Sequence, residues 1–417
     1  LFRSIKRLDV DVVYLNPIHD SFTNHAYDAL DYREVKAEFG TRDDVKELAR
    51  TLHENDMRLV LDGVFNHMGR NSARFKDAEA NPESEYRDWF YFGDQYQSGA
   101  RCWWLAENLP EINLENPKVR KHVYAGKNSA VRGYLRDGVD GWRLDVAMDI
   151  GMKWLTELTA AAHREKPGSL VVGEIANYPK EWFPAVDGIM HFTMKNILLG
   201  LMNGDIDAQH ARRMIERMYR DSDFEHMLMS WIYLDNHDTP RLAHMVNDPQ
   251  RRRLAQLLQF TLPGSPNLYY GTELGMTGGD DPEMRAPMRW DWVNDQNVSL
   301  TWTKQLIQLR RNHRALRVGD FRSVETNALF GFERFTDRVE DTVIVLTNPT
   351  NVEVTETVLI ANSKLMNTFE CVDVIDPNFR VPIYTSMVTV TLQPGAFRVL
   401  VPDVTSRGGY NSYKRVK

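Results

Sequence analysis

From about residue 10 to residue 318, short apolar runs alternate with amphipathic stretches. The runs at 12–15, 59–64, 141–146, 170–175, 188–192, 228–234 and 267–270 are rich in Val, Leu and Ile and predict strands. The stretches at 42–54, 153–164, 207–219, 251–262 and 302–314 carry helical spacing of apolar positions. Alternation of this length predicts parallel strands joined by right-handed helical crossovers, an α/β fold closing into a (β/α)8 TIM barrel. Seven runs fall one short of closure, and an open edge is a liability. Because residues 1–8 read as the middle of a helix beginning at Leu1 rather than Met, the first barrel strand is expected upstream.

Two regions break the alternation. Residues 67–111 are polar and rich in aromatic side chains (Trp89, Phe90, Tyr91, Phe92, Trp103, Trp104) and read as an insert after the third barrel strand. Beyond Arg317 the period changes to two, with strands predicted at 329–334, 341–348, 353–360, 387–392 and 397–401. The expected organisation is a barrel over 1–66 and 112–318, the insert over 67–111, a C-terminal antiparallel β-sandwich over 319–405 and a loose polar tail over 406–417.

Composition narrows the functional classes. A chain of 417 residues with 42% hydrophobic content can bury a large core. A net charge of -7 without a long basic run argues against nucleic acid as a partner. No run nears the roughly 20 apolar residues needed to span a bilayer, so no membrane partner is expected. The two cysteines, Cys102 and Cys371, cannot build a disulfide framework, and a single bridge stays open. The compartment is unassigned, with the cytoplasm favoured, and a homodimer is open.

Four apolar runs end in charged or imidazole groups: Asp62-Gly-Val-Phe-Asn-His67, Gly141-Trp-Arg-Leu-Asp145, Val172-Gly-Glu174 and Leu234-Asp-Asn-His-Asp238. A buried strand ending in a charge is costly unless that charge is paired or used. Side chains at C-terminal strand ends of a barrel converge on one site, and two carboxylates flanking a sugar suffice for glycosidic cleavage. Arg143 lies two residues before Asp145, so both point to one face; its guanidinium is expected to keep Asp145 ionised. Glu174 stands in an apolar frame of Val171, Val172 and Ile175, which favours a raised pKa and an acid role. His67 and His237 are placed to donate to sugar hydroxyls. Singly, the Arg143-Leu-Asp145 pair reads more often as a structural salt bridge, and Asn-His can simply cap the following helix.

In this order and spacing the four segments resemble the signature regions of the alpha-amylase family of glycoside hydrolases. Tyr14-Leu-Asn-Pro-Ile18, Tyr27, Asp31-Tyr32, Phe39-Gly-Thr41 and Leu109-Pro-Glu-Ile-Asn113 extend the resemblance along essentially the whole chain. It implies Asp145 as the nucleophile of a covalent glycosyl intermediate, Glu174 as acid and base, and Asp238 as stabiliser of the distorted sugar. It also implies retention of configuration, with the Asp145 and Glu174 carboxyls about 5–5.5 Å apart. Tyr27 would stack under the sugar before the cut, with His67, Arg143 and His237 around it, and Asp62 would support the site from behind. In the loop from Gly278 to Trp290, Asp281 and Arg285 would grip the next sugar. Tyr269-Tyr270 read as strand core. Trp103 and Trp104 read equally as a stacking platform or as the insert's own core.

No cofactor is required for this chemistry, and calcium stays open, with Asn66 the candidate ligand. Asn113 stands where calcium-dependent members would offer Asp, and Asp149 where secreted amylases carry His. Val146-Ala-Met-Asp149 is close to the Val-Ala-Asn-Glu of cyclomaltodextrinase- and neopullulanase-like enzymes, which tilts the expectation towards short maltodextrins. The expected activity is retaining hydrolysis of α-1,4-glucosidic bonds in starch-derived α-glucans. The alternatives are a glucanotransferase with the same site, and a non-catalytic relative.

Overall fold

A computed structural model describes residues 2–406 and 408–416. The opening helix spans Phe2–Leu8, and the Leu1 of the expected element lies outside the described residues. Seven parallel strands follow: β1 (Val12–Leu15), β2 (Arg58–Gly63), β3 (Gly141–Leu144), β4 (Leu170–Gly173), β5 (Gly188–Ile189), β6 (Trp231–Ile232) and β7 (Ser265–Pro266). β1 to β5 pair in sequence order, a parallel bridge between Met190 and Trp231 continues the array, and β6 pairs with β7. Helices such as Arg42–His53, Met152–Glu165, Ala208–Asp221 and Pro249–Thr261 cover the outside. The architecture is a TIM barrel with a C-terminal β-sheet domain.

Two of the expected strands are cut short because a local cap starts another element. Residues 228–234 yield only Trp231–Ile232. Asp223 accepts from the amides of Glu225 and His226 and starts the helix Phe224–Met229. Residues 188–192 yield Gly188–Ile189, since His191 caps the helix Phe192–Asn203 through Met194 N. Residues 267–270 are not a strand. Tyr269 and Tyr270 lie past the end of β7, where the Arg241 guanidinium covers both rings at 4.6 and 4.8 Å, so they are not strand core.

Two apolar layers sandwich the barrel wall. One lies under the helices. The other fills the barrel interior with Val60, Val172, Met190, Trp231 and Tyr233, packed against Tyr14, Leu170 and Phe192. Between β1 and β2 an antiparallel hairpin, His19–Ser21 with Ala29–Val35, carries Tyr27 in its turn and was not legible as strands. After β2 the chain wraps Phe75, Phe90 and Phe92 into a small aromatic cluster.

The C-terminal region holds β8 (Asp320–Val324), β9 (Phe330–Phe335), β10 (Val343–Thr347), β11 (Val354–Leu359), β12 (Glu370–Asp373), β13 (Arg380–Pro382), β14 (Met387–Leu392) and β15 (Phe397–Pro402). A six-stranded sheet ordered β8-β9-β10-β15-β12-β13 faces the two-stranded sheet β11-β14 across a core of Ile344, Leu346, Val358, Val388, Val390 and Leu400. The pattern missed β8, β12 and β13, which are short and carry little alternation. The tail is not loose throughout: Tyr413 is buried against Phe369, and its hydroxyl accepts from Met366 N at 3.3 Å. Arg407 and Lys417 of that tail lie outside the described residues. Cys102 and Cys371 are both free, so no bridge forms.

Candidate active site

Strand register assembles the site. Asp62 on β2 pairs with Arg143 on β3, and Arg143 with Val172 on β4, so the three side chains share one inward face. Arg143 is fully buried and surrounded by carboxylates. Its Nη1 donates to Asp62 at 2.8 and 3.0 Å and to Asp145 Oδ1 at 2.9 Å. Its Nη2 lies 2.8 Å from Glu174 Oε1, without the alignment of a hydrogen bond.

Immediately past β3 the backbone turns sharply. Val146 adopts φ +37, ψ +47, a left-handed conformation that costs a β-branched residue about 1–3 kcal/mol. The turn aims the Val146 N–H at Glu174 Oε2, 3.0 Å away. Glu174 therefore has a polar setting of guanidinium and amide, not the apolar frame expected from its sequence neighbours.

Asp62 is held from behind. The Tyr14 hydroxyl donates to it at 2.5 Å and the Tyr27 hydroxyl at 3.1 Å. The Tyr27 hydroxyl is also 2.6 Å from His237 Nε2. The rings of Tyr27 and His237 stack at 5.5 Å and 14°. His237 Nε2 lies 2.9 Å from Asp238 Oδ2, and Arg285 approaches Asp238 Oδ1 at 3.4 Å. Arg285 also donates to the His237 carbonyl at 3.0 Å and pairs with Asp281 at 3.4 Å. Asp145, Glu174, Asp238, Tyr27, Arg143, His237, Asp281 and Arg285 thus form one connected rim.

Burial pushes the Asp145 carboxyl well above the usual range; Arg143 pulls it down, but Glu174 and Asp62 push it up again. Burial raises Asp145 even though Arg143 donates to it, a guanidinium that Asp145 shares with Asp62 and Glu174. Burial raises Asp62 as well, against Arg143 and the Tyr14 hydrogen bond. Asp238 differs: burial raises it, but the His237 hydrogen bond and the charges of His237, Arg143 and Arg285 outweigh that and hold it below the usual range.

His67 sits on the site wall with its ring nitrogens occupied. Nε2 lies 3.1 Å from the Tyr27 carbonyl and Nδ1 3.4 Å from Asn66 Nδ2, and burial lowers its pKa to about 4. Its ring thus braces the Tyr27 backbone. Trp103 stacks on His67 at 5.7 Å and donates to Asp149 Oδ2 at 2.9 Å, whereas Trp104 is 83% exposed. Neither belongs to a core of the 67–111 region. Sequence reasoning did not assign Tyr14, the Val146 amide or Met190, whose sulfur accepts from Arg143 Nε at 3.4 Å. Tyr14 carried a usable signal, a hydroxyl inside an inward-facing strand run.

The residues around Asn66 do not fit calcium. Asn66 turns its amide to His67, Asn113 Oδ1 accepts from Tyr91 and Glu115 N, and Glu111 is paired with Arg101. Among the described residues no three His, Cys, Asp or Glu side chains converge as a metal site, whereas calcium needs six to eight oxygen ligands.

Comparison with known proteins agrees with this geometry. The family described as alpha amylase, catalytic domain, matches residues 2–337. A cyclomaltodextrinase of Bacillus sp is 32% identical over 363 residues, covering 82% of this chain and 63% of that protein. Neopullulanase 2 of Thermoactinomyces vulgaris is 29% identical over 354 residues, covering 81% of this chain and 59% of that protein. A solved cyclomaltodextrinase superposes with a TM-score of 0.86 at 28% identity, over 96% of this chain and 70% of that one. The chain therefore spans under two thirds of the length of these two curated relatives.

Proposed function

The chain belongs to the alpha-amylase family, and on that premise we propose that it is a retaining glycoside hydrolase cleaving α-1,4-glucosidic bonds of maltodextrins. The observation that supports this reading most directly is the single buried guanidinium of Arg143 gathering Asp62, Asp145 and Glu174. Relatives named for cyclomaltodextrin and pullulan extend the proposed substrates to cyclic and branched α-glucans. The division into barrel, 67–111 insert and C-terminal sandwich is part of the same reading.

Asp145 attacks the anomeric carbon while the bond to the leaving oxygen breaks and Glu174 gives that oxygen its proton. The sugar is then an ester on Asp145. Glu174, now a carboxylate, takes a proton from water, whose oxygen attacks the same carbon and releases Asp145. Two inversions give net retention. The Val146 amide and Arg143 Nη2 hold the two Glu174 oxygens during the exchange. Asp238, kept ionised by His237 and Arg285, faces the positive charge that develops on the ring. Tyr27 offers its face to the same ring.

The test is a product profile on maltotriose to maltoheptaose, cyclodextrins, pullulan and soluble starch, with the anomer of the first product followed by proton NMR. The reading requires reducing ends released with the α-anomer first. A β-anomer, or no release from any of these, would refute it.

A further inference from the structure

One basic side chain on the rim takes no part in the chemistry above. The helix Phe192–Asn203 follows β5 and carries Lys195 in its first turn. On the ring of strands β5 stands across the barrel from the hairpin that holds Tyr27, and next to β4, which leads into Glu174. Lys195 is only 8% exposed. Its ammonium stands over the rings of Phe192 and Tyr233, 6.0 and 5.6 Å from their centroids. Tyr233 belongs to the barrel interior and meets Phe192 edge-on at 5.4 Å. It also lies within electrostatic reach of Glu174, Arg143 and Asp238. The Lys195 stem is thus buried in the rim sector that holds Glu174 and Asp238.

The position is unfavourable for a cation on three counts. Burial strips a charge of its hydration, which lowers the Lys195 pKa against the opposing pull of Asp235. The first turn of a helix carries positive partial charge. Among the described residues, moreover, the ammonium has no hydrogen bond and no ion pair. Asp235 is already engaged, by the Thr272 hydroxyl at 2.8 and 2.9 Å and by the Leu242 amide at 2.8 Å. Two ring faces at this range offset only part of the cost. The tip is nevertheless open to solvent, unlike the Tyr233 hydroxyl and His191 Nε2, which are sealed without a partner. An ammonium has three donors and no acceptor, which suits it to sugar hydroxyls. In the function proposed above, the sugars before the cut lie on the opposite arc, against Tyr27, Asp281 and Arg285, and the leaving sugar lies on the Glu174 side. We propose that Lys195 selects the leaving group, its ammonium donating to hydroxyls of the glucose unit that departs with the proton from Glu174. The inference rests on the hydrolase reading and adds to it a residue that recognises sugar beyond the cut.

The experiment compares two substrates that share a maltosyl donor and differ in what leaves. Maltotriose is read as glucose released, and 4-nitrophenyl α-maltoside as nitrophenol, a leaving group without sugar hydroxyls. Lys195→Met keeps the buried stem and removes the ammonium. Its kcat/KM for maltotriose should fall about tenfold or more, the range of a hydrogen bond from a charged donor, while that for nitrophenol release should stay within about twofold. Lys195→Arg, which keeps a cationic donor, should lose less on maltotriose than Lys195→Met. The thermal midpoint of Lys195→Met should hold or rise, because an unpaired buried charge is removed. Equal losses on both substrates, with or without a lowered midpoint, would overturn the inference and make Lys195 structural; so would an undiminished rate on maltotriose. A native protein that releases neither product would refute the hydrolase reading itself, and this inference would fall with it.

Discussion

Asp62→Asn tests whether the three carboxylates compete for Arg143. Asp62 is 1% exposed, accepts from Tyr14, Tyr27 and Arg143, and has no surface towards a substrate. The amide is nearly the same size and keeps one acceptor, so the change removes chiefly a charge. Asp62 and Asp145 bond the same Arg143 nitrogen at 2.8 and 2.9 Å. Their bonded oxygens therefore lie within about 6 Å of each other, which at an effective dielectric constant of about 20 is roughly 3 kcal/mol of repulsion, or about two pKa units before relaxation.

The sign follows from the role of Asp145. Attack needs the carboxylate, so kcat/KM rises with pH through the Asp145 titration. Since burial holds that titration high, the acidic limb of the native profile should stand above the free-acid value of about 3.9. Asp62→Asn should move the limb down by about one to two pH units. It should also lower kcat by about 100-fold through a less firmly held guanidinium, as positioning losses do. The measurement is kcat/KM against pH with a chromogenic maltoside, on protein whose circular dichroism matches the native form. A limb that stays in place or moves up would refute the sharing of one cation among three acids.

Asp145→Asn should abolish turnover and yet raise the thermal midpoint at pH 7. A carboxyl whose folded pKa lies above its unfolded value costs stability once ionised, so the gain should vanish towards pH 4. His19, His67, His122 and His191 have pKa values lowered by burial to about 4. Their contribution is intact above the unfolded value of about 6.5 and lost as pH falls towards 4, so urea midpoints should drop across that window with a slope near four protons; His19→Leu should remove about one. Arg334 is buried at the junction of barrel and sheet domain and donates to the carbonyls of Thr261, Leu316 and Gly319. Arg334→Met should cost about 2–4 kcal/mol in denaturant titrations, by orphaning buried acceptors, with kcat/KM unchanged. Arg285→Ala should raise KM for maltotriose about tenfold, with a smaller change in kcat, because Arg285 braces Asp238 and the His237 carbonyl from outside the reacting centre.

Periodicity was enough for the strand–helix alternation and for the change of period after Arg317, because both depend on which faces are buried. It failed where a cap intervenes: Asp223 and His191 each divert an apolar run into a helix, and only the folded chain shows whether their side chains reach the amides. The hairpin carrying Tyr27 escaped for a related reason. Its register shifts twice between His19 and Ser21, which erases the two-residue alternation that marks a strand.

That Arg143, Asp145 and Glu174 lie together was legible in the sequence; the charge system they form was not. Two-residue spacing suffices to place Arg143 and Asp145 on one face, and strand-end chemistry suffices to nominate Glu174. Pairwise reasoning, however, gives each carboxylate its own environment: a cation for Asp145, an apolar frame for Glu174. The fold makes that division false. The register Asp62–Arg143–Val172 brings a third acid to the same guanidinium, and the left-handed turn at Val146 delivers an amide to Glu174 that no propensity would suggest. Once three acids share one cation, the protonation state of any one depends on the other two. For Asp145, burial and the two neighbouring acids push the carboxyl up against the pull of Arg143. In the proposed mechanism, nucleophile and proton donor then differ in what holds their oxygens, Arg143 Nη1 for Asp145 and the Val146 amide for Glu174.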